Sequence, residues 1–145
     1  MKIRKIDHVG IVVQNLPAAK AFFLALGMEL LGEQEVGGEW VDRVVGLEGV
    51  QASIAMLGPT EGETRIELVK FHTPAEVDGG ARTAANGLGI RHFTLVVEDV
   101  DAAVAKVREH GGELVREIVN YENVYKVCYV RGPEGIILEL AQELD

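Results

Sequence analysis

Apolar positions fall in short β-branched runs, then at helical spacing, then in short runs again, and this whole order occurs twice along the chain. Ile6 to Val13 and Ile90 to Val97 read as strands because their β-branched content suits a pleated, half-buried surface. Asn15-Leu16-Pro17 follows the first run and Asp99-Val100-Asp101 the second, each a helix start whose first polar side chain can cap free backbone N–H groups. Ala-rich helices are expected from about Pro17 to Leu26 and from Asp101 to His110, stopped by Gly27 and by Gly111-Gly112. Three more strands are expected in each copy: about Met28 to Glu33, Gln51 to Leu57 and Thr64 to Phe71, then about Glu113 to Ile118, Tyr125 to Val130 and Gly135 to Gln142. Each copy is thus a β-α-β-β-β unit.

The copies match residue by residue. His8 to Glu33 aligns with His92 to Glu117 without a gap, pairing Ala21 with Ala105, Gly27 with Gly111 and Leu30 with Leu114. The expected organisation is one domain over residues 1–145, with a first module over about 4–72, a linker over about 73–89 and a second module over about 90–143. The first module carries an insertion, expected within Gly37 to Gly49, where Trp40 to Leu47 reads as a short helix.

Candidate chemistry follows from the duplication. Each copy opens on a strand with one histidine, His8 or His92, and closes on a strand with one glutamate, Glu67 or Glu139. Taken singly, a strand histidine is usually a satisfied core or edge residue and a strand glutamate usually faces solvent. Glu139 departs most from that expectation, since Ile136 to Ala141 otherwise looks buried on both faces, and an unpaired charge there would cost several kcal/mol. A divalent ion would remove that cost. Imidazole and carboxylate donors suit Zn, Ni, Co, Mn or Fe(II), and four protein ligands in an octahedron leave two positions open for water or substrate.

Composition narrows the classes. No apolar stretch approaches the roughly 20 residues needed to span a bilayer, so a membrane partner is not expected. The single cysteine, Cys128, excludes an internal disulfide and a thiolate-rich zinc site, and the expected location is cytoplasmic. A net charge of −9, without runs of Lys and Arg, argues against a nucleic-acid partner. It leaves room for a small-molecule substrate, including an anionic one held by a few arginines.

The opening motif Asp7 to Val13, the turn Gly132-Pro133-Glu134-Gly135 and the closing motif Ile137-Leu138-Glu139-Leu140 resemble the vicinal oxygen chelate superfamily, which includes glyoxalase I, bleomycin-resistance proteins and extradiol dioxygenases. The likeness covers nearly the whole chain and implies an α+β fold in which two tandem βαβββ modules form an open, curved eight-stranded sheet around a central pocket. It also implies one divalent metal ion, with His8, Glu67, His92 and Glu139 on the ligand positions. Their order is most like glyoxalase I. The turn has Gly132 where the family often has Asp, and no arginine pattern identifies a glutathione site.

The implied function is a glyoxalase I-type lyase or isomerase acting on vicinal oxygens through an enediolate, with Glu139 as first choice of base and Glu67 as second. Alternatives are an epimerase, an Fe(II) dioxygenase, or a metal-free binding protein of the antibiotic-resistance kind. Trp40, Arg43, Arg65, Tyr125 and Tyr129 are candidates for the substrate side, with Trp40 and Arg43 as a lid and both tyrosines on one face. Arg91 is out of phase with His92 and expected to point away. His110 reads as a helix C-terminal residue favoured by the dipole, Cys128 as core, and His72 has no evident partner. A homodimer is expected, because open sheets leave edges that a second copy can cover.

Overall fold

The computed structural model describes residues 1–145, which form two compact units, Met1–Val77 and Asp78–Asp145. In the first unit β1 (His8–Val12), α1 (Leu16–Ala25), β2 (Glu29–Gly37), α2 (Glu39–Val45), β3 (Gln51–Gly58) and β4 (Arg65–Thr73) follow in order. The second unit contains β5 (His92–Val96), α3 (Val100–Glu109), β6 (Glu113–Leu114), β7 (Val119–Tyr121), β8 (Tyr125–Arg131) and β9 (Ile137–Glu143).

The expected α+β architecture is present as two mixed sheets. The first has the order β1-β4-β3-β2 and the second β5-β9-β8-β6, with β7 also paired to β8. In each, the histidine strand runs parallel to the glutamate strand while the remaining pairs are antiparallel. Nine strands stand where the duplication gives eight, because the second strand of the second unit is interrupted. β6 and β7 both pair with β8, and between them Val115 N–H donates to the Tyr129 carbonyl at 2.9 Å. In the first unit β2 instead runs four residues beyond its expected Glu33 and pairs along the whole of β3 to Gly37, past the register shift at Leu30/Gly32.

Local chemistry places the helices. The side chains of Asn15 and Asp99 accept from the N–H groups of Ala18 and Ala102 at 3.0 and 3.1 Å, satisfying donors that the helix itself cannot. Gly27 and Gly111 follow the C-caps with φ of 109° and 82°, a region costly for any residue with a Cβ. Helical spacing buries Ala19, Phe22 and Phe23 of α1 and Val100, Ala103, Val104 and Val107 of α3. These faces cover one side of each sheet, where Ala55, Leu57, Ile66 and Leu68 are buried in the first unit and Cys128, Val130, Leu138 and Leu140 in the second.

The insertion is helical, as expected, and its packing is specific. Val41 of α2, with Val50 and Ala52, meets Val36, Val69 and Phe71. Val69 and Phe71 alternate with buried Leu68, so α2 lies on the opposite side of the sheet from α1. The Asp42 carboxylate closes the loop behind α2 by accepting from Gly49 and Val50 N–H at 3.0 and 2.9 Å. No helix is long and apolar enough to cross a membrane.

Candidate functional site

Strand register brings each histidine to its glutamate. His8, Gly10 and Val12 lie beside Arg65, Glu67 and Val69, and their side chains share the sheet face turned away from α1. His92, Thr94 and Val96 lie in the same way beside Ile137, Glu139 and Ala141. The His8 Nε2 to Glu67 Oε2 distance is 3.7 Å, and His92 Nε2 to Glu139 Oε2 is 3.5 Å. The glutamates are partly buried while the histidine side chains are 38% and 36% exposed, so both pairs can be reached from solvent.

The spacing within each pair bears on metal binding. Two donors held at about 2.1 Å from one ion and 90–120° apart are themselves separated by roughly 3.0–3.6 Å. His92 with Glu139 falls inside that range and His8 with Glu67 just outside it. No group of three or more His, Cys, Asp or Glu side chains positioned to hold a metal ion is gathered in the chain. Each unit thus offers two donors, which is half of a four-donor set.

Three contacts around the pairs have no signal in the sequence. Asp7 Oδ2 accepts from His8 Nδ1 at 2.8 Å, and this bond, with help from Arg65 and Lys5, holds the Asp7 carboxyl below its ordinary pKa. An ionised carboxylate only accepts, so Nδ1 is the donor in this bond, and Nε2 is the ring atom that faces Glu67. Thr94 Oγ1 donates to Glu139 Oε2 at 2.7 Å, and the Tyr129 hydroxyl lies 3.3 and 3.5 Å from the two ring nitrogens of His92. All three partners stand beside a pair member or across a strand from one.

Among the residues considered for the substrate side, Tyr129 reaches its pair, with its ring centroid 4.9 Å from that of His92. Tyr125 shares its face, pairs with Tyr121 and Glu143, and is exposed. Arg65 shares the face of His8, whereas the Arg91 guanidinium turns to the Gly80 carbonyl at 3.0 Å, as its phase implies. Trp40 is 66% exposed on α2. Arg43 borders a surface hollow with Asp42, Gly46, Leu47 and Glu48 that includes neither His8 nor Glu67.

Two other expectations change or hold. His72, without an evident partner in the sequence, accepts or donates at 2.6 Å to Ser53 Oγ, which also lies 2.7 and 2.8 Å from the Glu35 carboxylate oxygens. Cys128 is buried, and burial pushes its thiol pKa up, as befits a core residue.

Comparison with known proteins bears on the family and the fold. The model of the Glyoxalase/Bleomycin resistance protein/Dioxygenase superfamily matches residues 5–140. A solved glyoxalase family protein from Bacillus cereus is 43% identical, with a TM-score of 0.96 over 100% of this chain and 97% of that one. Two further structures share the fold. They are a trypanothione-dependent glyoxalase I from Leishmania major (23% identity, TM-score 0.66, covering 97% of this chain and 88% of that one) and an antibiotic-binding protein from Streptomyces sp. CB03234 (20% identity, TM-score 0.64, covering 99% and 98%). With the family model spanning nearly the whole sequence and the repeated His–Glu strand pairs in place, the chain belongs to the Glyoxalase/Bleomycin resistance protein/Dioxygenase superfamily.

Proposed function

We propose that this protein is a divalent-metal-dependent lyase or isomerase of the glyoxalase I type, acting on a small substrate with oxygens on adjacent carbons. The observation that carries the reading is the repetition of one His–Glu pair at matching register in both units, at 3.7 and 3.5 Å. His8 with Glu67 in the first unit and His92 with Glu139 in the second are imidazole and carboxylate donors of the kind that suit Zn, Ni, Co, Mn or Fe(II), two donors per unit. The ion would supply Lewis-acid polarisation of the substrate oxygens.

The protein's own part is to hold the substrate and move a proton. The histidines serve as donors, and a glutamate carboxylate takes a proton from one carbon and returns it to its neighbour. Arg65 offers positive charge on the face of His8, and Tyr129 and Tyr125 offer aromatic surface on the face of His92. The functional unit is a homodimer, for which the exposed sheet edges β1 and β5 offer backbone pairing.

The test is elemental analysis of protein purified without added metal or chelator, repeated after stripping and reloading with Ni, Zn, Mn and Fe. About one divalent ion per chain is expected from a four-donor site. Absence of metal with no uptake on reloading would overturn the reading in favour of a metal-free binding protein. Oxygen consumption by the Fe(II)-loaded protein would move it to the dioxygenases.

A further inference from the structure

We propose, resting on the reading above, that the first unit carries a slot for the apolar body of the substrate, floored by Gly10, Met56 and Gly32 beside Glu67, so that the substrate class is a small molecule with its oxygens at one end and a ring or alkyl group at the other. The slot is built from one row of residues across the first sheet. Gly10 on β1, Glu67 on β4, Met56 on β3 and Gly32 on β2 stand side by side in register. They share the face turned away from α1. Two of the four have no side chain, and a Cβ at Gly10 or at Gly32 would meet nothing within 4 Å. The space above the row is open.

The second unit fills its matching row. Glu139 there stands between Thr94 and Tyr129, with the Thr94 hydroxyl 2.7 Å from the carboxylate and the Tyr129 ring against His92. Room for bulk is thus a property of the first unit, and the surface beyond its row is apolar. Val12, Val69 and Ile54 come next along the strands, with Gln34 as a polar rim on the edge strand β2. Val12 is 52% exposed on this face. Farther on, Val41 of α2 packs on Val69 and Phe71 and closes the slot. Met56 supplies an unbranched thioether that can follow the outline of a ring or a chain.

Size decides the occupant. The four strands span about 14 Å, and Glu67 to Phe71 is about 13 Å along β4, which makes a floor on the order of 200 Å². A stable protein interface takes about 800 Å² from each partner, so the floor suits one aromatic ring or a short alkyl chain.

The test compares acetohydroxamate with benzohydroxamate on the full chain loaded with Ni²⁺, two probes that share a pair of neighbouring oxygens and differ in the body. The phenyl probe is expected to bind about tenfold tighter or more. Gly32→Leu fills the slot two strands away from Glu67 and is expected to bring that ratio below about threefold, with circular dichroism confirming the fold. Met56→Ala enlarges the slot and is expected to shift preference from benzohydroxamate toward 1-naphthohydroxamate. Opposite effects at the two positions would not arise from a merely structural role. Equal wild-type affinities for the methyl and phenyl probes, or a ratio that survives Gly32→Leu, would overturn the slot and leave the metal-dependent reading standing. Gly32→Leu that keeps the ratio and alters sedimentation would assign the face to a second copy. If the chain takes up no Ni²⁺, the metal-dependent reading fails by itself, and the slot is read from amide shifts on titration with benzyl alcohol. Shifts at Gly10, Gly32 and Met56 that vanish in Gly32→Leu would keep it, and none at these residues would overturn it.

Discussion

At the scale of single residues, neighbours decide what an ordinary side chain does. Asp7 is exposed, yet its bond to Nδ1 leaves His8 Nε2 as the atom facing Glu67. Asp7→Ala is expected to weaken Ni²⁺ binding by about tenfold, the usual effect of removing a carboxylate behind a ligating histidine. The folded-state pKa of Asp7 is lowered, so its stabilising contribution is present above its unfolded value of about 3.9 and is lost as pH falls through the lower folded value. The stability difference between wild type and Asp7→Ala, read from urea titrations, is therefore expected to shrink below about pH 4. Burial raises the Cys128 thiol pKa and keeps it protonated. A disulfide reagent at pH 8 is expected to label Cys128 only after denaturation; prompt labelling of the native protein would contradict its buried position.

At the scale of elements, helix ends and one glycine carry specific energies. Removing either N-cap, Asn15→Ala or Asp99→Ala, is expected to cost about 1 kcal/mol of unfolding free energy, and equal losses would confirm that the two copies start their helices by the same device. Gly112 makes a different demand. A Cβ there would lie 2.5 Å from the Arg131 carbonyl oxygen and 2.5 Å from Val107 Cγ1, so Gly112→Ala must displace either α3 or β8. A loss of about 1–3 kcal/mol is expected for such overpacking, measured by denaturant unfolding. The strand boundaries show where sequence pattern stops short. Met28 to Glu33 and Glu113 to Ile118 look alike in the sequence, yet one becomes the nine-residue β2 and the other the two-residue β6, with β7 resuming later. The cause is the partner. β3 pairs with β2 from end to end with one register shift at Leu30/Gly32, while β8 pairs with β6 and then, after a break bridged by the Val115 N–H bond to the Tyr129 carbonyl, with β7.

At the scale of the whole molecule, duplication made most of the candidate site legible. His8, Glu67, His92 and Glu139 could be singled out because each recurs at its place in a second copy, and backbone pairing does bring each histidine to its own glutamate. Their phase along the strands also placed Tyr129 with Tyr125 and turned Arg91 away. Asp7, Thr94 and the Ser53–His72–Glu35 cluster escaped notice because their roles depend on reach across strands or on one rotamer, neither of which repeats along the chain.

By itself the sequence determined the order of elements, their periodicity and the helix ends, since these depend on side-chain alternation, on caps within three residues and on glycine's access to positive φ. Tertiary structure alone decided which side chains meet across strands. Thr94 reaches Glu139 over 45 positions and Ser53 reaches His72 over 19 because hydrogen-bond register between distant segments is set by the collective burial of one sheet face, not by any local preference.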